Sequence, residues 1–182
     1  MELNIPYWGE ELTVNLPSEN IGEIIYPNKV EIRPEKEVLF DALNSPVNFN
    51  SFDDFAKGNE PILFIINDAT RPTPSARIID LLWDKIKDKD IKFLIATGAH
   101  RAPTKDEYLE LFGNHYYELE KNIFYHDSEN KDGNIFIGKT KNDTEVFFNK
   151  LVIEAKKIAY ITSVEPHYFA GYTGGAKSFL PG

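Results

Sequence analysis

At 182 residues, 42% hydrophobic and 13% aromatic, the chain has enough material for one domain with a real core. Its formal net charge of −9, from 20 basic and 29 acidic residues, argues against nucleic acid or an anionic membrane surface as the main partner, though it says nothing about one local pocket. With no cysteine there is no disulfide, thiolate zinc site or cysteine nucleophile; no apolar run approaches the roughly 20 residues of a membrane span, and the opening Met-Glu-Leu-Asn-Ile lacks the regions of a signal peptide, so the expected location is cytoplasmic.

From the N-terminus, residues 1–60 read as peripheral strands and loops of the same domain. Residues 12–16 alternate weakly, as an edge strand would, and Pro17, Pro27, Pro34 and Pro46 divide the rest into short pieces. Residues 35–43 suit a short helix, and the Asn-, Ser- and Asp-rich stretch 44–54 reads as loop. At residue 61 the pattern changes. Residues 61–67 form a continuous apolar run, the mark of a strand buried on both faces. The run ends in Asp68, passes through Ala69-Thr70-Arg71-Pro72-Thr73-Pro74 and enters a helix with Ile78, Ile79, Leu82, Trp83 and Ile86 on one face. Residues 91–96 give a second buried strand, followed by the loop Thr97-Gly98-Ala99-His100-Arg101. Thr104 and Glu107 have the spacing of a capping box and open another helix, closed near Gly113. Residues 135–139 and 144–148 flank Asn142-Asp143 as hairpin arms would, and a short helix is expected over 151–155. A last apolar strand over 157–163 leads into Glu165-Pro166-His167.

Strand, loop and helix in repetition predict an α/β fold: a mostly parallel, Rossmann-like sheet flanked by helices, with its core in residues 61–182 and an N-terminal edge or hairpin region. Ligands of such sheets bind beyond the carboxyl ends of the strands. Three polar clusters occupy that position: Asp68 with Arg71, His100 with Arg101, and His167 with Lys177. Their agreement predicts one shared crevice.

Each cluster has a structural reading beside the chemical one. Arg71 could hold a carboxylate or phosphate through its planar fork, with Asp68 orienting it or accepting hydroxyl hydrogen bonds. Equally, Asp68–Pro74 could be a proline-stiffened turn with Arg71 solvated. His100, beside a glycine and just past a strand, is placed as a general base or as a loop histidine bonded to a carbonyl. His115 reads as surface and His126 as a satisfied structural histidine. The four histidines lack metal-ligand spacing, so no metal held by this chain alone is expected. The stretch from Gly171 to Ser178 is one residue from a phosphate loop, with Ala176 where glycine is required. Residues 166–170 delay it after the strand, and Pro181-Gly182 argue against the long helix that should follow. A P-loop-like nucleotide-phosphate binding or hydrolysing domain is therefore the alternative, and a non-catalytic binding module the third reading.

Together, Asp68-Ala69-Thr70-Arg71-Pro72, Ala96-Thr97-Gly98-Ala99-His100-Arg101 and Glu165-Pro166-His167-Tyr168-Phe169-Ala170-Gly171 with Gly174, Gly175 and Lys177 resemble the N-terminal part of the nickel-pincer lactate racemase family. The resemblance runs in order from about residue 10 to the end. It implies an isomerase acting on a small 2-hydroxy acid, with a nicotinic-acid-derived mononucleotide bearing nickel, tethered through a lysine. Carried over by motif position, Lys177 is the tethering lysine, His100 and His167 are the acid/base pair on opposite faces of the substrate, and Arg71 holds the substrate carboxylate. Asp68 supports the cofactor or Arg71, and the backbone at Gly174 and Gly175 cradles the cofactor phosphate. Cofactor-making enzymes are the implied partners. Family members continue into a second domain with a further nickel-ligating histidine, so this chain is expected to be a partial N-terminal domain, without cofactor and inactive alone.

Overall fold

A computed structural model describes residues 1–180; Pro181 and Gly182, and with them the helix-stopping expectation, lie outside the described residues. Two compact units separate, Met1–Glu35 and the remainder from Lys36.

In the first unit, β1 (Glu2–Tyr7) and β2 (Glu10–Asn15) form an antiparallel hairpin in register from Glu2↔Asn15 to Tyr7↔Glu10. Trp8 and Gly9 close it with φ of 51° and 82°, the two left-handed positions that a tight hairpin turn requires. The weak alternation read as an edge strand is one arm of this separate hairpin.

The second unit opens with α1 (Glu35–Asn44) and α2 (Phe52–Phe55). The latter is a helical turn inside the stretch expected to be loop. Ser51 caps it by accepting from the Asp54 amide at 3.1 Å, and Phe52 and Phe55 pack against the core. There follow β3 (Ile62–Asn67), α3 (Ser75–Ile86), β4 (Ile91–Ala96), α4 (Lys105–Phe112), α5 (Tyr116–Leu119) and β5 (Ile123–Tyr125). Next come the hairpin β6 (Asn134–Lys139) and β7 (Glu145–Asn149), then α6 (Lys150–Glu154) and β8 (Lys157–Ile161). A two-residue pairing of β9 (Pro166–His167) with β10 (Gly171–Tyr172) and a 3-10 turn at Gly175–Ser178 end the described chain.

The central sheet is parallel throughout, in the order β5-β4-β3-β8. From β3 the chain adds β4 and then β5 on one side, and only later returns to place β8 on the other. The direction of winding therefore reverses between β3 and β8, where α/β sheets open a crevice. Both faces of the sheet are covered, which is why β3 is apolar at consecutive positions. Ile62, Phe64 and Ile66 of β3 join Phe93 and Ile95 against Ile79, Leu82, Ile86, Leu111 and Phe112 of α3 and α4. Leu63, Ile65 and Leu94 point the other way and meet Leu151, Val152 and Phe179. Thr104 and Glu107 form the expected reciprocal cap of α4, and Gly113 ends that helix at φ 55°.

Candidate functional site

The loops that leave β3, β4 and β8 at their carboxyl ends surround a cavity of about 210 Å³. Asp68, Arg71, His100, Gly174 and Lys177 line it, with Asn67, Ser163 and Thr173 among the others. His167 and Gly175 are not among its lining residues.

Short turns build the β3 loop. Arg71 N–H donates to the Asp68 carbonyl at 3.1 Å, Thr73 N–H to Arg71 at 2.7 Å, and Ser75 N–H to Thr73 at 2.7 Å. Pro72 and Pro74 occupy the alternate positions, where no donor is used. Asp68 does not cap α3, whose N-cap is Pro74 without a side-chain bond. Asp68 is only 7% exposed, and its carboxylate turns to the neighbouring loop, meeting His100 Nδ1 at 2.5 Å through Oδ2 and accepting from Thr70 Oγ1 at 2.7 Å through Oδ1. Arg71 is not its partner. Arg71 is exposed and Lys177 half-buried, and neither the Arg71 guanidinium nor the Lys177 amine has a hydrogen-bond or ion-pair partner among the described residues. A net-acidic chain thus places at one cavity two cations that no described residue compensates.

The hydrogen-bond partners fix the imidazoles differently. A carboxylate only accepts, so Nδ1 of His100 carries its proton and Nε2 is left as a base. Backbone amides only donate. Those of Phe169 and Ala170 lie 3.5 and 3.3 Å from His167 Nδ1, so that nitrogen is bare and Nε2–H is a donor. Tyr168 stacks on the His167 ring at 5.0 Å and Phe169 meets it edge-on at 4.4 Å, holding its plane.

Arg101 is drawn out of its cluster. Its fork meets Glu107 through two 2.8 Å bonds, and Glu107 Oε2 also accepts the Thr104 amide at 2.7 Å. The Arg101 bonds, followed by that amide, pull the Glu107 carboxyl down to about 2, and Glu107 in turn raises Arg101. The guanidinium therefore serves the cap of α4 and not the cavity.

The other two histidines are also accounted for. His115, expected at the surface, stacks on Trp83 with centroids 4.0 Å apart and approaches Asp80 at 3.1 Å; its side chain is 14% exposed. His126 Nδ1 meets the Asn149 amide at 3.3 Å, and burial pushes its pKa down.

Lys177 lies in the 3-10 turn Gly175–Ser178, anchored by Phe179, which packs on Phe148 and Tyr160 at 5.7 and 5.2 Å. Gly174 precedes that turn at φ 70°. A Cβ there would sit 2.5 Å from the Ser163 carbonyl oxygen and 2.8 Å from Thr162 Oγ1, so only glycine lets this backbone lie on the end of β8. Gly175, at φ 50°, has open space around it. A phosphate loop runs from its strand into a helix whose N-terminus faces the phosphate. Here the β9–β10 pairing intervenes and a four-residue 3-10 turn replaces that helix among the described residues.

Asn67, Thr70, Thr73, Ser163 and Thr173, all joined by side-chain bonds around the site, escaped the sequence reading. For Asn67 a signal was present: a polar side chain closing the most apolar run of the chain.

Among the described residues no helix is long and apolar enough to cross a membrane. The chain is 37% identical to the lactate racemase of Thermoanaerobacterium thermosaccharolyticum and 30% identical to that of Lactiplantibacillus plantarum, each over 99% of its own length. It spans 44% of the length of both relatives. The structure of the lactate racemase apoprotein from T. thermosaccharolyticum superposes with a TM-score of 0.83 at 34% identity, covering all of this chain and 43% of that one. A crystal structure from Thermotoga maritima shares the fold, with a TM-score of 0.62 at 21% identity over 81% of this chain and 38% of that one. The family described as the lactate racemase N-terminal domain matches residues 7–182, and the chain belongs to that family.

Proposed function

We propose that this chain contributes the N-terminal portion of a lactate-type racemase site, interconverting the two hands of a small 2-hydroxy acid. The observation that carries the reading is the cavity itself: two cations without a partner among the described residues and a histidine–aspartate pair on one crevice at the reversal point of the sheet. Arg71 is assigned the substrate carboxylate, because a planar guanidinium holds one in a two-pronged bond and none of its donors is engaged by a described residue. The hydroxyl proton passes to His100 Nε2, and the Asp68 carboxylate stabilises the imidazolium that forms. His167 is assigned the opposite face, where its Nε2–H donates a hydrogen bond to the substrate oxygen as the other hand forms. The proton taken up by His100 Nε2 returns to the same oxygen, so each turnover takes one proton and delivers one.

Lys177, with Gly174 and Gly175, is assigned to a covalently tethered nickel-pincer nucleotide. Three features fit such a group: a lysine amine without a partner among the described residues, a cavity shared with the substrate arginine, and a backbone bent where a Cβ would collide. The chain has no cysteine, so its own residues offer no thiolate to nickel. When bound, such a group supplies hydride acceptance and return at the substrate Cα. The reading also implies cytoplasmic enzymes that assemble the nucleotide as transient partners.

The test is intact-mass and peptide analysis after co-expression with those enzymes, run in parallel on the 182-residue chain and on a protein of family length. The expected outcome is an adduct localised to Lys177 and racemisation of lactate by the longer protein, both abolished in Lys177→Ala. A longer protein that racemises lactate with Lys177 unmodified would sink the assignment.

A further inference from the structure

The cavity's opposite walls are tied together by one side chain outside the catalytic set. Asn67 is the last residue of β3, the strand that stands between β4 and β8. Its amide nitrogen has two hydrogens and uses both. One goes to Thr73 Oγ1 at 2.7 Å, in the loop that carries Arg71; the other goes to Ser163 Oγ at 3.1 Å, beyond the end of β8. From Ser163 the connection continues. Its carbonyl accepts from Thr173 Oγ1 at 3.1 Å, that hydroxyl oxygen accepts the Glu165 amide at 2.8 Å, and Thr173 N–H returns to the Glu165 carbonyl at 2.9 Å. Thr173 leads directly into Gly174 and the Lys177 turn, and Gly174 itself lies against the same Ser163 carbonyl. Among the described residues no other side-chain hydrogen bond joins the Arg71 loop to the segment after β8. The link crosses the sheet where the winding reverses and no crossover helix ties the two loops together.

We propose that Asn67 is a positioning residue that sets the spacing between the Arg71 loop and the Lys177 turn, so that the carboxylate-holding and lysine-bearing walls move as one unit. The inference rests on the site assignment above only for what the two walls hold; the mechanical link is a property of this chain. Chemistry explains the choice of side chain. Leucine would leave two hydroxyls facing an apolar group, and aspartate would put a second carboxylate next to Asp68. Alanine would release both loops.

The link makes a distinctive prediction, because it is broken by cutting either end. Thr73→Val cuts it at the Arg71 loop and Ser163→Ala at the other, and each removes a single hydroxyl, milder than Asn67→Ala. Amide hydrogen exchange of Thr173 and Lys177, whose N–H groups bond within the turn region, should quicken about threefold to tenfold in Thr73→Val although Thr73 is hydrogen-bonded to neither. Thr73→Ser should restore the original rate. The Thr73→Val/Ser163→Ala double variant should exchange no faster than the faster single variant. Exchange in the turn that ignores Thr73, or single effects that multiply in the double variant, would overturn the proposal. These readings need neither cofactor nor substrate, so they stand or fall separately from the adduct on Lys177.

Discussion

At the scale of single residues, the buried carboxylate of Asp68 decides what its neighbour can do. With Oδ2 on His100 Nδ1 and Oδ1 on the Thr70 hydroxyl, it has one geometry, and that geometry dictates the tautomer of His100. Asp68→Asn keeps the shape but offers an amide that can donate as well as accept, so the proton on Nδ1 is no longer specified. Turnover of lactate by the family-length protein should fall about 10²- to 10⁴-fold, the range expected when a catalytic histidine is held in the wrong tautomer. Circular dichroism should be unchanged, and an activity within a few-fold of the parent would show that Asp68 does not orient the base. The sequence identified Asp68, Arg71, His100 and Lys177 as candidates because polar residues at strand ends stand out against apolar runs. It did not reveal that Asp68 serves His100 and not Arg71. Residues 68 and 100 are brought together by the pairing of β3 with β4, a contact with no local signature. Arg101 shows the same limit: adjacent in sequence to His100, it belongs to the cap of α4.

At the scale of elements, that cap is a charged device and has a pH signature. Glu107 has its carboxyl lowered from 4.5 to about 2 by Arg101 first and by the Thr104 amide second. Because the folded-state pKa lies below the unfolded one, the contribution to stability is complete above about pH 4.5 and is lost as pH falls toward 2. Glu107→Gln should therefore lower Tm at pH 7, and the gap from the parent should close as the pH of the melt is taken from 5 to 3. A gap independent of pH would mean the capping geometry matters and the charge does not. Elements with strong periodicity, β3, α3, β4 and α4, were legible, as were the β6–β7 hairpin and the short helix α6. Two were not. Helix α2 is a single capped turn within a polar stretch, and β5 is three residues long, too short for periodicity to register. Pairing with β4 makes β5 a strand, through contacts from Phe93↔Ile123 to Ile95↔Tyr125.

At the scale of the whole molecule, the second unit is organised around a sheet buried on both faces, with Phe93 at its centre. That ring is fully buried, stacks on Phe64 with centroids 5.1 Å apart and receives Phe112 edge-on at 5.2 Å. Phe93→Ala should destabilise the protein by about 3–5 kcal/mol, measured as a fall in the urea midpoint at constant slope, and Phe93→Leu by less than about 1.5 kcal/mol. Equal losses in the two variants would mean the ring geometry, not the buried volume, is what the core needs. By itself the sequence determined the α/β class, the places of the principal strands and helices, and a family resemblance concentrated in three strand-end motifs. Those properties are written in short-range patterns: apolar runs, helical periodicity, caps and glycines. Only the tertiary structure decided the order β5-β4-β3-β8, and with it the reversal between β3 and β8 that puts Asn67 within reach of Ser163, 96 residues away. Strand pairing depends on which buried faces fit side by side, and such a fit between distant segments leaves no periodicity along the chain.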